Sequence, residues 1–154
     1  MSTGAPELGQ RIYLDSNLYI YIFEGVEMHR TRMLELLSAI DSRDVVVIAS
    51  ELLFTEILPR PVKEGRQDLV ERYLDLIRNT PRIHLVPVDR SVILRSVHLR
   101  AEFRLRSMDA LHLATALVHG CETFITNDRR LARINLLRVR TLHDLDTMVG
   151  SPPE

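Results

Sequence analysis

Five short apolar runs, mostly β-branched, fall at residues 12–15, 45–49, 83–88, 123–126 and 138–141. Between and beyond them lie longer stretches of helical periodicity, at 18–23, 29–40, 51–58, 67–79, 91–103, 108–119 and 142–149. Strand and helix taking turns is the pattern of a mostly parallel sheet covered on both faces. The run Val45-Val-Val-Ile-Ala49 shows no polar alternation, as a strand buried on both sides should. The expectation is an α/β chain built as a three-layer α/β/α sandwich around a mostly parallel sheet. A chain of 154 residues that is 45% hydrophobic can bury the core of one such domain. Residues 11–149 are expected to form it, with a disordered lead-in at 1–10 and a Pro-rich disordered tail at 150–154.

Several classes are excluded by composition. No apolar run approaches the roughly 20 residues of a membrane-spanning helix, and the first residues lack the basic start and apolar stretch of an export signal. The reading is a cytoplasmic chain. Cys121 is the only cysteine, so neither an intrachain disulfide nor a cysteine-rich zinc site can form, and a buried thiol is expected. A net charge of −1 does not by itself indicate a nucleic-acid partner. Its distribution says more. Arginine supplies 19 of the 20 basic residues, Lys63 being the only lysine, and arginine crowds into 95–106 and 129–140. The planar guanidinium fork suits phosphate, so these stretches gain meaning if metal-binding acids lie beside them.

The segment Met108-Asp-Ala-Leu-His-Leu-Ala-Thr-Ala-Leu-Val118 is apolar nearly all round, which marks a helix packed inside the domain. Ser107 can cap its start, and Gly120 stands where a left-handed residue would end it. Asp109 therefore falls in the first turn, where free N–H groups and the helix dipole favour negative charge.

Asp15 closes the first apolar run and Asp128 follows the fourth, so both fall just past the carboxyl end of a strand. In open α/β sheets that edge is where ligands bind. Glu56 sits on the helix after the second strand, near the same edge. Four acids remote in sequence (Asp15, Glu56, Asp109 and Asp128) can thus be gathered by one sheet. Crowded carboxylates must protonate in part unless a cation compensates them. Oxygen ligands without a His–Cys cluster suit Mg2+ or Mn2+ rather than zinc. His112 follows Asp109 by three residues and shares its helix face; a core histidine with a satisfied ring is the favoured reading.

Four segments carry a family resemblance: Tyr13-Leu-Asp15-Ser-Asn17, Ala49-Ser-Glu-Leu-Leu-Phe-Thr-Glu56-Ile, Arg106-Ser-Met-Asp109-Ala-Leu-His-Leu-Ala-Thr-Ala116, and Phe124-Ile-Thr-Asn-Asp128-Arg-Arg-Leu131. They resemble the four motifs of PIN domains, in the family's order. The resemblance implies a five-stranded sheet in the order 3-2-1-4-5 and endoribonuclease activity dependent on Mg2+ or Mn2+. Among PIN proteins the chain looks most like VapC-type toxins of type II toxin–antitoxin pairs, which implies an RNA substrate, a cognate antitoxin and a homodimer. Apolar helix faces around Leu34, Leu37 and residues 69–76 are candidates for the dimer contact. Asp15 and Asp109 are expected as primary metal ligands, with Asp128 and Glu56 binding directly or through water. Asn17, Thr126 and Asn127 are expected to orient the acids, and Arg104, Arg106 and Arg129 to meet phosphate. Within the same resemblance stand two alternatives, a nuclease of RNA maturation and a PIN module that binds without cutting. An aspartate-nucleophile phosphohydrolase is disfavoured, because its second Asp is replaced here by Asn17.

Overall fold

A computed structural model describes residues 8–150. Its five strands are β1 (Arg11–Leu14), β2 (Val46–Ser50), β3 (Ile83–Val86), β4 (Thr123–Ile125) and β5 (Arg138–Arg140). They form one sheet in the order β3-β2-β1-β4-β5, and all four pairings are parallel. The central strand β1 sets Ile12 beside Val47 of β2 and Tyr13 beside Phe124 of β4. The helices are α1 (Ser16–Glu24), α2 (Glu27–Ser42), α3 (Leu52–Ile57), α4 (Pro59–Lys63), α5 (Gln67–Asn79), α6 (Arg90–Phe103), α7 (Ser107–Val118) and α8 (Leu145–Val149).

The pleat explains the two cores, because successive strand residues face opposite sides. Ile12, Leu14, Val47, Ala49 and Ile125 join one cluster with Leu18, Met33, Leu36, Leu53, Tyr73 and Leu145 from α1, α2, α3, α5 and α8. Tyr13, Ile48 and Phe124 join the other with Val92 and Leu99 of α6 and Ala110, Leu113 and Ala114 of α7. The three expected layers are present. The small side chains of α7 let it lie close to the sheet, and six of its residues are buried.

Some expectations change. Ser107 is the first residue of α7 rather than its cap; Arg106 precedes the helix and makes no capping bond. Gly120 does take the left-handed conformation after it, at φ +72°. Helix α3 ends before Pro59 as expected, yet Pro59 starts α4, since proline at a first helical turn forfeits no hydrogen bond. Residues 1–7 and 151–154 lie outside the described residues, and with them most of the expected lead-in and tail. Leu8 to Gln10 do not fit a disordered lead-in. Leu8 is buried and donates its N–H to the Met148 carbonyl, and the Gln10 N–H donates to Glu122 Oε1. The face at 69–76 is not free for a second copy, because Leu69, Val70 and Tyr73 turn into the core. Leu34 remains 54% exposed. No helix among the described residues is long and apolar enough to cross a membrane. Cys121 is buried, and burial pushes its thiol up to about 12.

Candidate active site at the sheet edge

The chain leaves β1 through Asp15, whose N–H still donates to the Ile125 carbonyl before α1 begins. The residue is only 8% exposed, and its carboxylate has two partners. Oδ1 accepts from the Ser16 N–H at 2.8 Å, capping α1, and Oδ2 accepts from the Thr126 hydroxyl at 2.6 Å. Thr126 stands just past β4, the neighbour of β1, and its hydroxyl oxygen also accepts the Asp128 N–H at 3.0 Å. One buried hydroxyl thus ties together the turns that carry two of the acids. Ser16 does the same on the other side, its hydroxyl donating to Glu56 Oε2 at 2.9 Å. Glu56 Oε1 meets His112 Nε2, and His112 Nδ1 meets the Tyr13 hydroxyl. A continuous hydrogen-bonded line therefore runs from Asp128 through Thr126, Asp15, Ser16, Glu56 and His112 to Tyr13.

Asp109 stands apart. It lies in the first turn of α7, half-buried, and no hydrogen bond reaches its carboxylate among the described residues. Burial first, then the charges of Asp15 and Asp128, push its carboxyl above the ordinary value. Asp128 is the opposite case. The Arg130 guanidinium holds both its oxygens, with Nε 2.9 Å from Oδ1 and a terminal nitrogen 2.7 Å from Oδ2. That contact keeps the Asp128 carboxyl below its usual range. For Glu56, burial works upward, but the bond and charge of His112 and the Ser16 hydroxyl outweigh it and hold the carboxyl low.

All four predicted acids are therefore at the carboxyl edge of the sheet. The charges of Asp15 and Asp128 both reach Asp109, and Glu56 is linked to Asp15 through Ser16. Yet no three Asp, Glu, His or Cys side chains among the described residues form a ready-made metal cage. The reason is visible in the partners: like charges separate when they can, and Asp128 turns to Arg130 while Glu56 turns to His112.

Of the residues expected to orient the acids, Thr126 takes that position. Asn127 turns its amide to the Tyr21 hydroxyl at 3.1 Å, and Asn17 is exposed. A recess of about 110 Å³ opens beside Asp109 and Asp128 and is lined by Arg104, Arg106, Arg130 and Arg133. Arg129, singled out from the sequence, does not line it; its neighbour Arg130 does. Sequence reasoning passed over Ser16 and Tyr13 as well. Adjacency to Asp15 was the available signal for Ser16, whereas nothing local marks Tyr13.

No curated protein matches the chain. Among solved structures it is similar to VapBC2 of Rickettsia felis bound to a promoter DNA fragment, at 17% identity and TM-score 0.68 over 85% of this chain and 98% of that one. It is also similar to a toxin–antitoxin complex of Klebsiella pneumoniae, at 24% identity and TM-score 0.60 over 80% and 92% of the two chains. A third is VapC20 of Mycobacterium tuberculosis, a toxin that cleaves the sarcin–ricin loop, at 13% identity and TM-score 0.63 over 82% and 98%. Such identities speak for the fold alone. The PIN domain family model matches residues 12–137, and with the strand order and the edge-clustered acids in place, the chain belongs to the PIN domain family.

Proposed function

We propose that this PIN domain is a divalent-metal-dependent endoribonuclease acting as the toxin of a toxin–antitoxin pair. The observation that carries the metal site is Asp109: half-buried, its carboxylate without a hydrogen bond among the described residues, and destabilised as an anion by burial and by Asp15 and Asp128. Such a carboxylate is relieved by a small hard cation, and an all-oxygen donor set suits Mg2+ or Mn2+. Asp15 and Asp109 would hold it, with Asp128 and Glu56 contributing directly or through water. When bound, the ion supplies an activated water and offsets charge on the phosphoryl oxygens.

The remaining work falls to the chain's own side chains. Thr126 and Ser16 fix Asp15 by both oxygens, so this ligand needs no reordering. The arginines of the recess sit next to the acids, where they bind the RNA backbone and set its register without reading bases. Arg130 is held by Asp128 and would be free to meet phosphate if a cation took its place at that carboxylate. The toxin reading takes support from the Klebsiella pneumoniae toxin–antitoxin complex and the sarcin–ricin loop-cleaving toxin of Mycobacterium tuberculosis, which share the fold. A cognate antitoxin is the partner this reading supplies.

The test is incubation of the purified protein with total RNA, with Mn2+ or with a chelator, followed by mapping of the cut ends. Cleavage dependent on the metal, leaving 5′-phosphates, and lost in Asp15→Asn is the expected result. Cutting that persists in the chelator or in Asp15→Asn contradicts the proposal.

A further inference from the structure

His112 belongs to the helical layer of α7, and Glu56 to the layer of α3 on the other side of the sheet. Their contact crosses over the carboxyl edge and joins the two layers beside Asp15. A carboxylate can only accept, so His112 Nε2 carries the proton donated to Glu56 Oε1, and Nδ1 is hydrogen-bonded to the Tyr13 hydroxyl. Tyr13 is itself closely packed. It is buried in β1 and its ring lies nearly parallel to Phe124 of the adjacent strand, 5.1 Å between centroids and 10° between planes. His112 is only 2% exposed, so its ring has no freedom to turn away.

A buried histidine satisfied at both nitrogens is the favoured reading from sequence, and it holds. Neither partner is legible in the sequence, and one of them, Glu56, is itself an acid of the candidate site. We propose that His112 is a positioning residue for Glu56, fixing the glutamate's carboxylate at the sheet edge through a rigid path from Phe124 and Tyr13. This rests on the proposed metal site, to which it adds the residue that presents the fourth acid. Glu56 lies on α3, a helix of only six residues, which cannot by itself hold a long side chain in one pose. Ser16 restrains Oε2 and His112 restrains Oε1, so both oxygens are set before any ligand arrives.

The experiment is a Mn2+ titration followed by water-proton relaxation, with a thermal melt of each protein. The proteins are the wild type, Glu56→Gln, His112→Leu, His112→Gln, Tyr13→Phe, and the combination of Glu56→Gln with His112→Leu. Glu56→Gln and His112→Leu should each weaken Mn2+ affinity by roughly 10–100-fold, the scale for groups that orient metal ligands. The combination should be no weaker than the worse single change, because both remove the same presented carboxylate. His112→Gln, which keeps an N–H donor, should recover most of the affinity. If His112→Leu does not fold, Tyr13→Phe takes its place, with a smaller loss that vanishes in the Glu56→Gln background. Melting temperatures that fall while Mn2+ affinity stays at the wild-type level, or effects that multiply in the combination, assign His112 to the core alone and overturn the inference. A wild-type protein that binds no Mn2+ overturns the proposed metal site and this inference together, whereas wild-type binding with multiplying effects overturns only the inference.

Discussion

The Thr126 hydroxyl donates to Asp15 Oδ2 at 2.6 Å, joining residues 111 positions apart at a point where both are buried. Because the same oxygen accepts the Asp128 N–H, Thr126 sets the spacing of the two acids that follow β1 and β4. Thr126→Val keeps the shape and removes the hydroxyl, leaving a buried carboxylate oxygen and an N–H without a partner. The expected cost is about 1–3 kcal/mol in a denaturant melt, with cleavage reduced roughly 10–100-fold, as for other residues that orient metal ligands. Thr126→Ser should retain most of both.

Asp109→Asn should stabilise the metal-free protein at neutral pH. Burial and the charges of Asp15 and Asp128 raise the Asp109 carboxyl above its ordinary value of 3.8, so the folded state binds this proton more readily than the unfolded state. Asp109 therefore opposes folding when ionised, and the penalty fades as pH falls through the raised value. The stabilisation from Asp109→Asn is expected at pH 7, shrinking with acid and gone below the ordinary aspartate range. Thermal melts of both proteins in chelator between pH 3 and pH 7 check it; a variant no more stable than the wild type at pH 7 contradicts the account.

Arg130→Ala should change binding far more than stability. The Arg130 side chain is 66% exposed in its pair with Asp128, and solvent-screened pairs of this kind contribute about 0–1 kcal/mol. RNA affinity should fall for every sequence alike, and the salt dependence of binding should lose roughly one unit of slope, as for a single phosphate contact. The same measurement on Arg129→Ala, whose side chain does not line the recess, should show no such change.

The fold was largely legible because its signals are local. Each of the five apolar runs is a strand, displaced by a residue or two at its ends, and the unbroken Val45-Val-Val-Ile-Ala49 run does lie in the sheet interior. Turn chemistry was less legible. Pro59 reads as a stop and is also a start, and Ser107 has a capping residue's chemistry without its position. Asp15 and Asp128 emerge at one edge because each follows directly on the end of a strand, β1 and β4. What joins the acids was not legible. Tyr13, His112 and Glu56 lie on three elements, and their meeting depends on how α3 and α7 approach over the sheet, which no periodicity encodes. Arg129 and Arg130 differ by one position in a short 3-10 turn, and only the backbone geometry decides which of them faces Asp128.

On the proposed function, Asp109, which has no hydrogen-bonded partner for its carboxylate among the described residues, gains one when a small hard cation reaches the sheet edge. Calorimetric titration of Mn2+ into the wild type and into Asp109→Asn tests it most directly. Saturable binding to the wild type, weakened by at least an order of magnitude in Asp109→Asn, is the predicted result. Equal binding by both proteins, or none by the wild type, would contradict it.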